Sequence, residues 1–170
     1  VKPGRHQWET NFVPDVNSFE LPPWAARGAA GNNIQYLLAD SSMHCHISEF
    51  QQGTYKKAHR HNSGYHIWCT TGEGYSLLWL EGEDPVNTVR VDWKPGTLYA
   101  PPDGPTYHQH FNVADGPSRY LVFGFGGARY PVLDTKFESY ENMDKTTREG
   151  GNQVEYIDED PNILDLYERE

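Results

Sequence analysis

Five of the eight histidines in the 170-residue chain fall in two short windows. The first window holds His59, His61 and His66, and the second holds His108 and His110. Residues two apart on a β-strand project from the same face, so each window presents a pair of imidazoles to one side. Imidazole binds Zn, Fe, Cu and Ni, and less selectively Mn. The spacing indicates one transition-metal site built from both windows, although a packed or hydrogen-bonded strand histidine is the ordinary alternative.

The residues around the first window follow a glycine-bounded pattern. Gly53 is followed by five residues, by His59–Arg60–His61, by four residues and by His66, with Gly72 or Gly74 further on. The glycines suit turns, where a backbone without Cβ is favoured.

The residues around the second window form a matching pattern. Gly96 is followed by five residues, by Pro102–Asp103–Gly104, by three residues, by His108 and, after three more, by Asn112. Together the two patterns resemble the two motifs of the cupin superfamily, over roughly residues 34–127. The resemblance implies an all-β fold, a cupin-type double-stranded β-helix (jelly-roll barrel), around a mononuclear metal site.

The chain departs from the resemblance at His66, which stands where the family usually has a glutamate ligand. The resemblance implies a metal site of His59, His61, His66 and His108, in which four neutral imidazoles leave the full charge on a divalent ion. Such a shell is a strong Lewis acid and favours a bound anion. The alternative is that His66 turns away and leaves three histidines, as in some cupin dioxygenases. The second motif also has three residues before His108 where the family has two.

Three further residues are candidates for the surroundings of the metal. His110 is expected on the same strand face as His108, as a second-shell partner or general base, with a packed strand histidine as the alternative. Trp68, in register with His66, and Tyr99 are candidate pocket walls, although large aromatic residues in a barrel more often belong to its core.

His44 and His46 form another alternating pair on a predicted strand. Met43, Cys45 and Ile47 occupy the opposite face, and we expect that apolar face to point into the barrel. The two histidines are therefore predicted to face solvent or a subunit interface.

The leading functional prediction is a metal-dependent cupin enzyme that acts on a small organic substrate, with dioxygenase-type cleavage of an aromatic, enolic or diketone compound. The alternatives are a non-redox lyase, decarboxylase, isomerase or cyclase, and a cupin that binds a small molecule without turnover, because one fold hosts many reactions. The expected cofactor is one divalent transition metal per chain, with Fe(II) favoured and Mn, Ni, Zn or Cu as the other options.

Short β-rich runs separated by turn residues extend from residue 34 to about residue 130 and predict a closed barrel or jelly roll. Residues 1–33 are rich in proline and aromatic residues and predict an extended arm. Residues 131–170 predict a polar C-terminal extension, with a weakly helical stretch near Ile163–Tyr167.

The composition excludes several classes of function. Lys and Arg total 14 against 24 Asp and Glu, so a net charge of −10 argues against nucleic-acid binding. No apolar stretch approaches the ~20 residues of a membrane span, and the default location is cytoplasmic. The family resemblance favours a homodimer. Because the chain starts at Val1, it is also compatible with one half of a two-barrel cupin.

Overall fold

The structure, a computed structural model, describes residues 6–61, 65–125 and 145–170. The predicted end of the barrel and start of the C-terminal extension (126–144), and residues 62–64 within the first motif, lie outside this range. The described ranges contain nine strands and one α-helix, with three short 3-10 turns at Ala25–Arg27, Thr147–Glu149 and Tyr156–Asp158. The strands and the helix are β1 (Gln7–Thr10), β2 (Asn32–Leu38), β3 (Met43–Phe50), β4 (His66–Thr71), β5 (Gly74–Leu80), β6 (Val89–Trp93), β7 (Leu98–Tyr99), β8 (Thr106–Asn112), β9 (Ser118–Phe125) and α1 (Pro161–Tyr167).

The strands form two sheets with the orders β1-β2-β3-β9-β4-β7 and β6-β5-β8. β1 runs parallel to β2, and the other strand pairs within the described ranges are antiparallel. The core joins the two sheets, because Trp93 of β6 packs among Phe50, Ile67 and Tyr120 of the larger sheet. The predicted all-β fold class is confirmed.

The N-terminal arm lies across the outer face of the larger sheet. Its β1 extends the edge of that sheet, and apolar side chains from the arm and from the outer faces of the strands form one cluster. The main members of the cluster are Trp8, Phe19, Leu21, Ile34, Tyr36 and Ile47. The predicted extended arm is therefore present, while the domain boundaries at residues 33 and 130 stay a prediction.

Arg119 of β9 fixes the arm to the sheet. Its guanidinium donates hydrogen bonds to the carbonyls of Val16 and Asn17, both at 2.8 Å, and of Phe19 at 3.0 Å, and it pairs with Glu49 at 2.6 Å. A guanidinium this buried needs such partners, because desolvation without hydrogen bonds is costly.

The C-terminal segment packs on the smaller sheet. Ile163 of α1 lies buried in a cluster with Tyr75 and Phe111, and α1 includes the weakly helical stretch near residues 163–167. The N–H of Val154 also donates to the Ala58 carbonyl at 2.9 Å, so this segment supports the chain just before His59. Within the described residues, no helix has the length and apolar character needed to cross a bilayer.

Candidate metal centre and its cavity

His59 and His108 lie opposite each other in a short antiparallel bridge. The His59 N–H donates to the His108 carbonyl at 3.0 Å, and the His108 N–H donates back at 2.8 Å. Directly opposed residues place their side chains next to each other on one face, and the two ring centroids are 4.2 Å apart. Residues from the two motifs, far apart in sequence, are thus brought together as the spacing predicted.

His110 completes a three-histidine cluster with His59 and His108. The candidate ligand nitrogens of the three residues all lie within 4.8 Å of one another, and all three side chains are buried. Alternation along β8 places His108 and His110 on the same face. His61 lies beside the cluster and is half-buried, with its ring centroid 4.7 Å from that of His108.

The cluster is built to stay uncharged. Burial lowers the pKa of His59, His108 and His110 well below the ordinary value, because desolvation disfavours the imidazolium form. The positive charges of Arg27, near all three rings, and of Lys56, near His110, lower these pKa values further. The neutral rings keep the lone pairs that a metal ligand needs.

Hydrogen bonds from the protein orient these rings. Nδ1 of His59 donates to the Lys57 carbonyl at 3.0 Å, which leaves Nε2 as its unprotonated nitrogen. Nδ1 of His110 bonds the Ser76 hydroxyl at 2.7 Å and the Tyr99 hydroxyl at 3.1 Å. Such outer contacts are typical of metal-ligating histidines.

His108 supplies a test of whether a metal fits here. Its Nδ1 is buried and has no hydrogen-bond partner in the described part of the chain, although buried polar atoms are nearly always satisfied. Three neutral imidazoles, one of them with an unpartnered ring nitrogen, fit a divalent transition metal, and the donor set does not fix which one.

The structure places His66 away from the cluster and so contradicts its prediction as the fourth ligand. His66 is exposed on β4, and its ring stacks on Phe123 with centroids 5.6 Å apart. Strand alternation explains this placement, because Ile67 and Cys69 are the β4 residues that point into the core.

The two residues predicted as pocket walls, Trp68 and Tyr99, are not among the described residues that line the cavity. Trp68 shares the outward face of β4 with His66 and is exposed. Tyr99 is partly buried, and its hydroxyl bonds Ser76 and His110, so it supports a ring of the cluster from outside the cavity lining. His110, predicted as a second-shell residue, instead belongs to the cluster itself.

His44 and His46 line the cavity, contrary to the prediction that they face solvent or an interface. The N-terminal arm explains the error. It covers the opposite face of β3, where Cys45 and Ile47 pack against arm residues, so the apolar face of this strand points away from the cavity. His44 is buried and stacks on Tyr65 with ring centroids 4.7 Å apart.

The cavity contains polar residues that the sequence did not single out. Arg27, Lys56 and Tyr120 line it beside the histidine cluster, and its volume is about 40 Å³. Nothing in the sequence of the first motif distinguishes Lys56 from Lys57. In the structure Lys56 is buried, whereas Lys57 forms an ion pair with Glu155, with Nζ and the carboxylate 2.6 Å apart.

Asn112, the last residue of the second motif, has a structural role. Its amide donates to the carbonyls of Phe50, Gln51 and Gly116, and its oxygen accepts from Ser118 at 2.6 Å. These contacts tie β8 to β3 and to the start of β9. They keep the strand that carries His108 in register.

Three solved structures illustrate the likeness of this fold to known proteins. CapF, in complex with the inhibitor 3-isopropenyl-tropolone, aligns with a TM-score of 0.51 and 12% identity over 65% of this chain and 32% of CapF. The Cnp3 cupin domain of Schizosaccharomyces pombe aligns at 0.50 and 12% identity, over 66% and 68% of the two chains. Ethanolamine utilization protein Q of Salmonella typhimurium aligns at 0.50 and 16% identity, over 68% and 86%.

The chain thus spans about a third of the length of CapF and most of the length of the ethanolamine utilization protein. No protein-family model matches the sequence. No curated protein matches it either. At these identities the solved structures establish the fold alone. The two sheets, the paired motifs and these neighbours together show that the chain has the cupin fold.

Proposed function

We propose that this chain is a metal-dependent cupin enzyme acting on a small organic molecule. The observation that carries the proposal is the cluster of His59, His108 and His110, buried, neutral and placed at a cavity. His61 is kept as the proposed fourth ligand because its ring lies against that of His108. His66 is left out of the proposed set.

The proposed reaction is a dioxygenase-type oxidative cleavage of an aromatic, enolic or diketone compound, with Fe(II) as the ion. Fe(II) held by imidazoles supplies one-electron chemistry with dioxygen, whereas Zn²⁺ in the same place would only polarise a carbonyl. The protein's own part is to bind the substrate in the cavity and to keep the ligand rings neutral and oriented.

Metal analysis of tag-free protein tests the proposal directly. We expect one transition metal per wild-type chain by plasma mass spectrometry, and loss of that metal in His108→Ala. The matched control is His66→Ala, which changes an exposed histidine outside the cluster and should keep the metal. A wild-type protein without stoichiometric metal contradicts the proposed function. Equal loss from both variants contradicts the ligand assignment.

Three outcomes separate the classes of function. An oxygenase consumes dioxygen together with its substrate and is inactive without oxygen. A non-redox cupin enzyme keeps its activity when a redox-inert ion replaces iron. A binding protein without turnover keeps its ligand affinity after the metal is removed.

The proposal extends to a homodimer in the cytoplasm. Apolar side chains exposed on the outer faces of β4, β7 and β9 support the assembly. The thiols of Cys45 and Cys69 are both free, which suits a reducing compartment.

A further inference from the structure

The cavity that holds the histidine cluster also holds two buried cations. Lys56 and Arg27 are 2% and 4% exposed, and both line the cavity. The Lys56 ammonium donates to the Ser48 hydroxyl and lies 4.8 Å from the centroid of the Tyr120 ring. Arg27 donates to the Gln153 amide oxygen at 2.9 Å. Charged side chains are rarely this buried, so their position beside a metal site indicates a specific task.

The described lining of the cavity is positive in charge. It contains these two cations and six histidines, and none of the described lining residues is Asp or Glu. The field of the two cations reaches the cluster, since Arg27 lowers the pKa of His59 and Lys56 lowers that of His110. An anion is the ligand that such a lining complements.

A chain of hydrogen bonds orients two further histidines of the same lining. The Gln7 amide donates to the Gln35 oxygen at 3.2 Å, and the Gln35 amide donates to His44 Nδ1 at 3.1 Å. The proton of His44 is therefore on Nε2, which donates to His46 Nδ1 at 2.6 Å. His46 in turn carries its proton on Nε2. His44 and His46 both line the cavity.

We propose that the cavity binds a small organic carboxylate, whose carboxylate group pairs with Lys56 while the rest of the molecule lies toward the histidine cluster. The inference rests on the proposed function and narrows its substrate class. The cavity volume of about 40 Å³ suits a small ligand rather than a large one. A carboxylate also matches a single ammonium in charge.

Two matched pairs of probes test the proposal in the metal-loaded protein, namely acetate with acetamide and benzoate with benzamide. The two members of each pair differ in charge but are almost equal in size. Calorimetric or saturation-transfer titrations are expected to show at least one acid binding about 10-fold or more tighter than its amide, as a charge-assisted hydrogen bond predicts. Equal affinity within both pairs overturns the proposal, as does tighter binding of inorganic phosphate than of either acid.

The matched variants are Lys56→Met and Lys57→Met. The first removes the buried ammonium and is expected to weaken carboxylate binding about 10-fold or more. The second removes the neighbouring ammonium that pairs with Glu155, keeps the backbone carbonyl that holds His59, and should leave the affinity unchanged. Lys56→Arg keeps the charge and should restore part of the affinity if Lys56→Met is poorly folded. Unchanged affinity in a folded Lys56→Met variant overturns the proposal.

Metal content measured on the same samples separates the two proposals. Wild-type protein that holds its metal but does not prefer acids to amides contradicts only the carboxylate inference. Wild-type protein that holds no metal contradicts the proposed function, whatever the probes do.

Discussion

The buried imidazoles of His59, His108 and His110 couple the stability of the fold to pH. In the unfolded chain each ring titrates near 6.5, whereas burial keeps it neutral in the folded chain to a lower pH. Below about pH 6.5 the unfolded chain therefore binds more protons, and the free energy of unfolding must fall as pH falls. The same protonation competes with metal binding, so bound metal and high pH both raise the free energy of unfolding.

Urea unfolding of the metal-free protein from about pH 8 to about pH 5 checks this coupling. Each buried histidine is expected to cost about 1.4 kcal/mol per pH unit below its unfolded pKa. His110→Gln removes one of the three titrating rings and should reduce the slope by about a third. A free energy of unfolding that stays constant across this range would contradict the burial of the cluster.

At the scale of the strand, the sequence predicted correctly which residues share a face. It was less successful in predicting which face points inward. The two alternating pairs, His59 with His61 and His108 with His110, contain the three residues that the structure brings into one buried cluster, His59, His108 and His110. On β3 the apolar residues were expected inside, but the arm supplies an apolar cover for Cys45 and Ile47 on the outer face. That cover comes from residues far away in sequence, so local hydropathy could not reveal it.

His66 shows the same limit on β4. The family pattern placed a ligand at this position, and the spacing after His61 agreed with it. The inward face of the strand is fixed by the packing of Ile67 and Cys69, a property of the whole sheet. The burial of Lys56 could not be predicted either, because its ammonium is enclosed by side chains of β3 and β9 that only the folded sheet brings together.

The helix α1 offers a direct test of how much the C-terminal segment stabilises the fold. Ile163 is 1% exposed and fills a cluster on the smaller sheet, whereas Leu164 is 45% exposed on the same helix. Ile163→Ala should lower the free energy of unfolding by about 2–4 kcal/mol through lost burial and a cavity. Leu164→Ala should lower it by about 0.5 kcal/mol or less. Equal effects in urea unfolding would mean that α1 does not dock as described.

Over the whole molecule, charge and hydropathy are distributed unevenly. The chain carries a net charge of −10, yet the described lining of its cavity is positive. The acidic surface attracts cations to the protein, while the cavity attracts anions from among the small molecules around it. The outer face of the larger sheet has two parts. The arm covers the part formed by β2 and β3, whereas β4, β7 and β9 carry exposed apolar side chains.

These exposed side chains lead to a prediction about assembly. Trp68 is 47% exposed, its cross-strand partner Leu98 is 56% exposed, and Phe125 on the neighbouring strand β9 is 57% exposed. Exposed apolar surface of this kind marks protein–protein interfaces. In a two-fold dimer one patch meets its own copy. Light scattering at micromolar concentration should therefore give twice the mass of the chain. Trp68→Glu should give the mass of one chain, because it places two like charges at the interface. Leu164→Glu, an equally exposed position on α1, should keep the dimer. A single-chain mass for the wild type, or a dimer that survives Trp68→Glu, would show that this face is not the interface.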